Sequence, residues 1–193
     1  MAGGSLGGSL SANREAVVNM TAGAAKGFYT DGSSTGNIYG GLIEKDVTAF
    51  ADSTINIYGG TIGGEIHAFG KVNILGGAIK GASSFSRLAM STGLPELFAV
   101  DDGVVQFFGS ALAYTLLDPS VPYEAEGISG MFSKYGLTGV LSDGTEITGT
   151  TLFVQNGSGA RFAFATAVPE PETYLLVAVG LLLVLGTARY KKH

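Results

Sequence analysis

The sequence predicts an all-β chain: a parallel β-solenoid, β-helix-like with coils of about 18 residues, followed by a single C-terminal hydrophobic helix. Three observations predict it. Short phrases recur through the first 80 residues, with asparagines at 19, 37, 56 and 73 spaced by 18, 19 and 17 residues. Glycine supplies 31 of 193 positions, about twice the usual share of roughly 7%, and falls between short runs of Ile, Val, Tyr and Thr. A charge-free apolar run then lies near the end of the chain.

The repeating phrases are Val18-Asn19-Met20-Thr21, Gly36-Asn37-Ile38-Tyr39-Gly40-Gly41, Ile55-Asn56-Ile57-Tyr58-Gly59-Gly60 and Val72-Asn73-Ile74-Leu75-Gly76-Gly77. Five residues on come Ala25, Ile43, Ile62 and Ile79; a third column holds Leu10, Phe28, Val47 and Ile66, and Ala12, Ala49 and Ala68 recur beside it. Strand side chains alternate, so Ile55 and Ile57 are expected inside while Asn56 and Tyr58 face out. The Gly-Gly pair marks a corner, where glycine tolerates positive φ. One coil cannot bury its apolar face alone, so stability is expected from stacking. The segment Met1 to Gly8 aligns with Ile57 to Gly64, which places Met1 inside a coil and without a secretory leader; the expectation is a natural chain that starts upstream.

Regularity fades from Lys80, and Ser83 to Glu96 reads as a loop or short helix. Val104-Val105-Gln106-Phe107-Phe108-Gly109 resumes the phrase with Gln106 in the Asn column. Asp118 to Tyr123, with Pro119 and Pro122, reads as a connector. Beyond it, Asp143-Gly144 and Asn156-Gly157 are turn dipeptides, and Leu152–Val154 and Ala160–Ala165 are expected strands, either capping hairpins or further coils.

Composition excludes several function classes. Hydrophobic residues make up 46% and charged residues 14%. Setting aside the C-terminal Glu170, Glu172, Arg189, Lys191 and Lys192 leaves 8 basic against 14 acidic residues, a charge of −6. Such a surface repels phosphate backbones, so no nucleic acid is expected. With no Cys there are no thiolate metal sites. Glu44, Asp46, Asp52, Glu65, Asp101 and Asp102 do not recur in a register that would stack several acids, so they read as solvated acids at turns. No Ca²⁺-binding repeat, Ser-His-Asp arrangement or P-loop is present. His67 has no second His or Cys nearby and reads as a surface histidine rather than a metal ligand. The chain is therefore expected to be neither an enzyme nor a metal or cofactor binder. Asn19, Asn37, Asn56 and Asn73 are expected to exchange side-chain amide hydrogen bonds. Tyr39 and Tyr58, one coil apart, read as a packing pair, with a glycan contact as the alternative.

Val168-Pro169-Glu170-Pro171-Glu172-Thr173 precedes an apolar stretch, Tyr174 to Ala188, that carries no charge over 15 residues, and Arg189, Lys191 and Lys192 follow. As a helix that stretch would span about 22 Å, short of a hydrocarbon core of roughly 30 Å, with the basic flank cytoplasmic and residues 1–168 outside. Motif, apolar stretch and basic end together resemble the PEP-CTERM sorting signal, and Leu137 to Gly144 resembles the Gly-Thr-Leu-Ala-Asp-Gly stretch common before it. The resemblance implies export from a Gram-negative-type bacterium and processing by an exosortase, a membrane transpeptidase. It also implies an association with extracellular polysaccharide or biofilm matrix. The expected organisation is regular repeats over 1–80, an irregular insertion over 81–103, further coils or capping hairpins over 104–167, the sorting motif and linker over 168–173, a transmembrane helix over 174–188 and a basic tail over 189–193. The expected function is that of an exported structural or adhesive envelope protein, membrane-anchored or released; the alternatives are a carbohydrate-binding module and a polysaccharide-active enzyme.

Overall fold

A computed structural model describes residues 1–80, 96–125 and 128–166. The first rung comprises β1 (Ala2–Leu6), β2 (Leu10–Ala12) and β3 (Val17–Met20), and the second β4 (Ala22–Ala25), β5 (Phe28–Thr30) and β6 (Thr35–Ile38). The third comprises β7 (Leu42–Ile43), β8 (Val47–Ala49) and β9 (Thr54–Ile57), and the fourth β10 (Thr61–Ile62), β11 (Ile66–Ala68) and β12 (Lys71–Ile74). Then come β13 (Ala78–Ile79), β14 (Glu96–Ala99), β15 (Val104–Ala125), β16 (Ile128–Leu141), β17 (Glu146–Gln155) and β18 (Arg161–Ala165).

Through four rungs the strands pair in parallel with their counterparts. Asn19, Asn37, Asn56 and Asn73 lie side by side on β3, β6, β9 and β12. Phe28, Val47, Ile66 and Leu97 do the same on β5, β8, β11 and β14. Alternation then sends Met20, Ile38, Ile57, Ile74 and Phe107 into one fully buried column. Volumes are exchanged within a rung: Gly36 leaves room where other rungs carry Val18, Ile55 and Val72, and the buried Phe28 ring fills it, with its Cζ 2.9 Å from where a Gly36 Cβ would stand.

The expected parallel β-solenoid does not describe the chain. Strand order is β1-β4-β7-β10-β13 in a five-stranded parallel sheet, and β2-β5-β8-β11-β14-β17-β16-β15-β12-β9-β6-β3 in a thirteen-stranded sheet that also includes β18 beside β15. β16 runs antiparallel to both neighbours, so this sheet is mixed. Its end strands β2 and β3 are consecutive in the first rung, which makes it a nearly closed, barrel-like wall.

The departure has a local cause. After β6, β9 and β12 the corner is a Gly-Gly pair whose second member is left-handed: φ is 96° at Gly41 and 93° at Gly60 and Gly77. After Phe108 the sequence is Gly109-Ser110, the corner is not made, and β15 runs on to Ala125, 22 residues in all, before β16 folds back along it. Asp118 to Tyr123, expected as a connector, lies inside β15. Its prolines are tolerated because register shifts flank Asp118 and because beyond Phe108 the strand pairs, among the described residues, with β16 alone.

The described residues contain no helix, and none is long and apolar enough to cross a membrane. The C-terminal helix joined to the expected fold therefore has no counterpart among them. Residues 81–95, the motif Val168, Pro169, Glu170 and Pro171, the run 174–188 and the flank Arg189, Lys191 and Lys192 lie outside the described residues.

The corner geometry predicts a contrast. A Cβ on Gly60 would approach Gly41 O to 2.9 Å at a left-handed φ, so Gly60→Ala should cost about 2–4 kcal/mol, combining strain and overpacking. Gly157, also left-handed but with nothing within 4 Å of a Cβ, should cost only the strain, about 1–2 kcal/mol. Denaturant unfolding of the two alanine variants measures both.

Candidate functional surfaces

The outward side of the β3-β6-β9-β12 ladder is the most regular surface. Asn37 Nδ2 donates to Asn19 Oδ1 at 2.8 Å, Asn56 Nδ2 to Asn37 Oδ1 at 2.8 Å and Asn73 Nδ2 to Asn56 Oδ1 at 2.7 Å. Parallel, in-register pairing brings identical amides one strand spacing apart, about 4.8 Å, so each donor meets the next acceptor. The chain of bonds stops at Asn73, whose buried Oδ1 has no partner although Gln106 lies beside it on β15.

Two residues along each strand, on the same side, Tyr39 and Tyr58 stack with centroids 4.7 Å apart and planes 6° from parallel. Both are exposed, at 49% and 39%, but each covers one face of the other. A sugar ring would find only the face of Tyr39 toward Thr21 or that of Tyr58 toward Leu75. The arrangement is that of a packing pair extending the ladder.

The acidic residues are dispersed by the corners. Asp52 and Asp101 have φ of 64° and 55°, a left-handed turn conformation that Asp adopts more readily than most residues. Arg14 and Gly32 hold the same conformation in earlier rungs. The Asp101 N–H donates to Gln155 Oε1 at 2.8 Å, a tie between rung and β17.

His67 is not a surface residue. It is 6% exposed, Glu65 is 9% exposed, and His67 Nε2 lies 2.8 Å from Glu65 Oε2. Positions i and i+2 on a strand share a face, which is the sequence signal for this pair. The imidazole sits in the outer column of β8, β11 and β14, with Thr48 beside it and edge-on to Phe98 at 5.5 Å. A carboxylate so placed orients an imidazole. Among the described residues, however, no group of three or more His, Cys, Asp or Glu side chains is disposed to hold a metal ion.

A small cleft of about 200 Å³ opens where β13 ends the five-stranded sheet. It is lined by the apolar Ala78, Ile79, Phe107 and Leu141 and by Thr145, Glu146, Thr148 and Thr150. Its volume is below the roughly 300 Å³ at which ligand pockets usually begin. Asp143 staples its wall: Oδ2 accepts from Gly77 N–H at 2.8 Å and from the Thr145 hydroxyl at 2.9 Å, and Oδ1 accepts from Thr145 N–H at 2.8 Å. Burial alone raises the Asp143 carboxyl, but the N–H groups of Thr145, Gly77 and Asp143 itself and the Thr145 hydroxyl outweigh it and hold it below its ordinary 3.8. The Leu137–Gly144 stretch singled out in the sequence thus ends in the turn that seals this sheet.

No protein-family model, curated protein or solved structure matches the chain.

Two outcomes are expected. Gln106→Asn should bring an amide of matching length to Asn73 Oδ1 and raise stability by about 1 kcal/mol, read as a higher Tm. For Asp143, a carboxyl lowered in the folded state contributes stability that is present above its unfolded value of 3.8 and is lost as pH falls through the lower folded value. Asp143→Asn should remove that acid-side loss and cost about 1 kcal/mol at neutral pH, since the group is largely solvated. Urea midpoints measured across the acid range test both statements.

Proposed function

We propose that this chain is an exported bacterial envelope protein with a structural or adhesive role, sorted through its C-terminal signal. The observation that carries the reading is the order of three sequence features: Val168-Pro169-Glu170-Pro171, the uncharged run 174–188, and Arg189, Lys191 and Lys192. A membrane transpeptidase of the exosortase type is the processing partner in this reading, lipid is met through the apolar run, and extracellular polysaccharide is the surrounding medium. The role is not catalytic. Its support is the use of the polar groups themselves: the amides are spent on one another along the ladder, the corner acids on turns, and Asp143 on closing a sheet edge. A weakly acidic surface with few charges also disfavours nucleic acid.

The test is made in an exosortase-bearing host, with antibody raised against residues 1–166. The reading expects antibody to bind intact cells and the chain to be shortened at its C-terminus. A double variant, Pro169→Ala with Pro171→Ala, should leave full-length chain in the membrane fraction, as should deletion of the transpeptidase. Antibody binding only after lysis, or unchanged processing in both strains, would overturn it.

A further inference from the structure

The β15–β16 pair overhangs the last rung. β18 ends the parallel column, with Phe162 beside Val105 and Phe164 beside Phe107, but β15 and β16 continue past it. Alternation divides the side chains of this arm between two faces. Phe132 and Ile128 on one face are buried in a satellite cluster with Phe98 and Phe153. Lys134, the one basic residue of the two strands, is on this side too, with Nζ 5.5 Å from the Phe153 centroid. Leu117 lies over Gly136, away from Tyr135.

The opposite face continues the direction of the main core beyond the point where rungs of the described residues cover it. Tyr114 is 57% exposed, Leu116 50% and Met131 44%. Leu116 faces Tyr135 across the pair, and Tyr114 and Tyr135 each rest edge-on or tilted against Phe162, at 5.1 Å. Tyr114, Leu116 and Tyr135 adjoin and are rooted on the final strand; Met131 lies farther along β16, beyond Ser133, whose hydroxyl is within hydrogen-bond distance of Asn156 Oδ1 and Pro119 O.

The chain leaves the described fold at that same place. Thr166 follows β18 directly, and only residues 167–173 separate it from the run beginning at Tyr174. Seven residues span at most about 25 Å. Whatever surface receives the run therefore stands within that distance of the strand on which Tyr114 rests. Tyrosine and leucine side chains favour the boundary between headgroups and acyl chains.

We propose that the Tyr114–Leu116–Met131 face lies against the lipid surface that receives residues 174–188, giving the protein a second, peripheral membrane contact and a fixed tilt. This rests on the membrane contact in the functional reading above. With Lys134 turned to the other face, the contact is apolar and insensitive to salt.

The chain has no Trp, so a single introduced indole reports one place. Leu116→Trp, and separately Tyr114→Trp, are placed in the full chain and reconstituted in phosphatidylethanolamine–phosphatidylglycerol vesicles, with Leu42→Trp on the five-stranded sheet as reference. In the Leu116→Trp and Tyr114→Trp variants the indole emission should be blue-shifted and should fall to a small fraction when brominated lipid replaces the ordinary one. High salt should change neither effect, and the Leu42→Trp variant should keep its emission throughout. If the chain floats with the vesicles but neither arm variant is quenched, the proposal fails and the anchoring reading stands. If both arm variants are already blue-shifted without lipid and vesicles change nothing, the face is covered by the chain itself or by a second copy, and the proposal fails. If the chain does not float with the vesicles at all, the anchoring reading fails as well.

Discussion

At the corner after each Asn-bearing strand, two backbones come so close that a side chain has no place. A Cβ on Gly41 would stand 2.6 Å from Gly23 O, and one on Gly60 2.9 Å from Gly41 O. This crowding is the reverse side of parallel stacking: rungs that share backbone hydrogen bonds must turn at the same height, and their corners then stack on one another. The bonds Tyr39 N–H to Met20 O, Tyr58 N–H to Ile38 O and Leu75 N–H to Ile57 O, all 2.8 Å, are the visible result. Where a left-handed glycine follows, the chain turns into the five-stranded sheet. At Gly109-Ser110 it does not, and β15 runs on into its antiparallel pairing with β16.

What was legible in the sequence depended on how local the cause was. The partners of Asn37, Ile57 and Ile43 could be read from spacing, because a ladder that pairs identical residues leaves a fixed period behind. The Glu65–His67 pair was legible in principle through its i, i+2 spacing, but burial was not, since it comes from the packing around Phe98. The closure into a mixed, barrel-like wall was illegible for a stronger reason. It depends on β17 lying beside β14, with Leu152 against Leu97, while β16 bridges to β15, so three distant segments combine and no period records them. Pro119 and Pro122 were misleading because the penalty for proline applies to a strand bonded on both sides, and this stretch of β15 is not.

The amide ladder and the apolar column are two readings of the same strands. Each rung contributes one inward Ile, Met or Val column and one outward Asn, so a register slip of one residue would both bury amides and expose the core. The cost of an unpaired buried amide, about 1–3 kcal/mol, therefore guards the register as much as it adds to stability. Tyr39 over Tyr58 reinforces it on the next outward position. Along this surface the amides of Asn19, Asn37, Asn56 and Asn73 are bonded to one another.

The three ladders end differently, and the differences account for the remaining surface. Beside β14, β17 continues the sheet in parallel, and β16 follows antiparallel to it. At β13 no strand follows among the described residues, and the Asp143 turn closes the edge by accepting from Gly77 N–H and donating to Leu75 O. At β15 one short strand, β18, adds Phe162 and Phe164 and then stops. Because β15 and β16 are longer than the rung they leave, their inner face outlasts the core beneath it. The exposed Tyr114 and Leu116 are thus a geometric consequence of two strands of unequal length to β18, and they face the same end of the molecule from which the chain departs. A contact surface there requires no additional folding element, only a partner apolar enough to replace the missing rung.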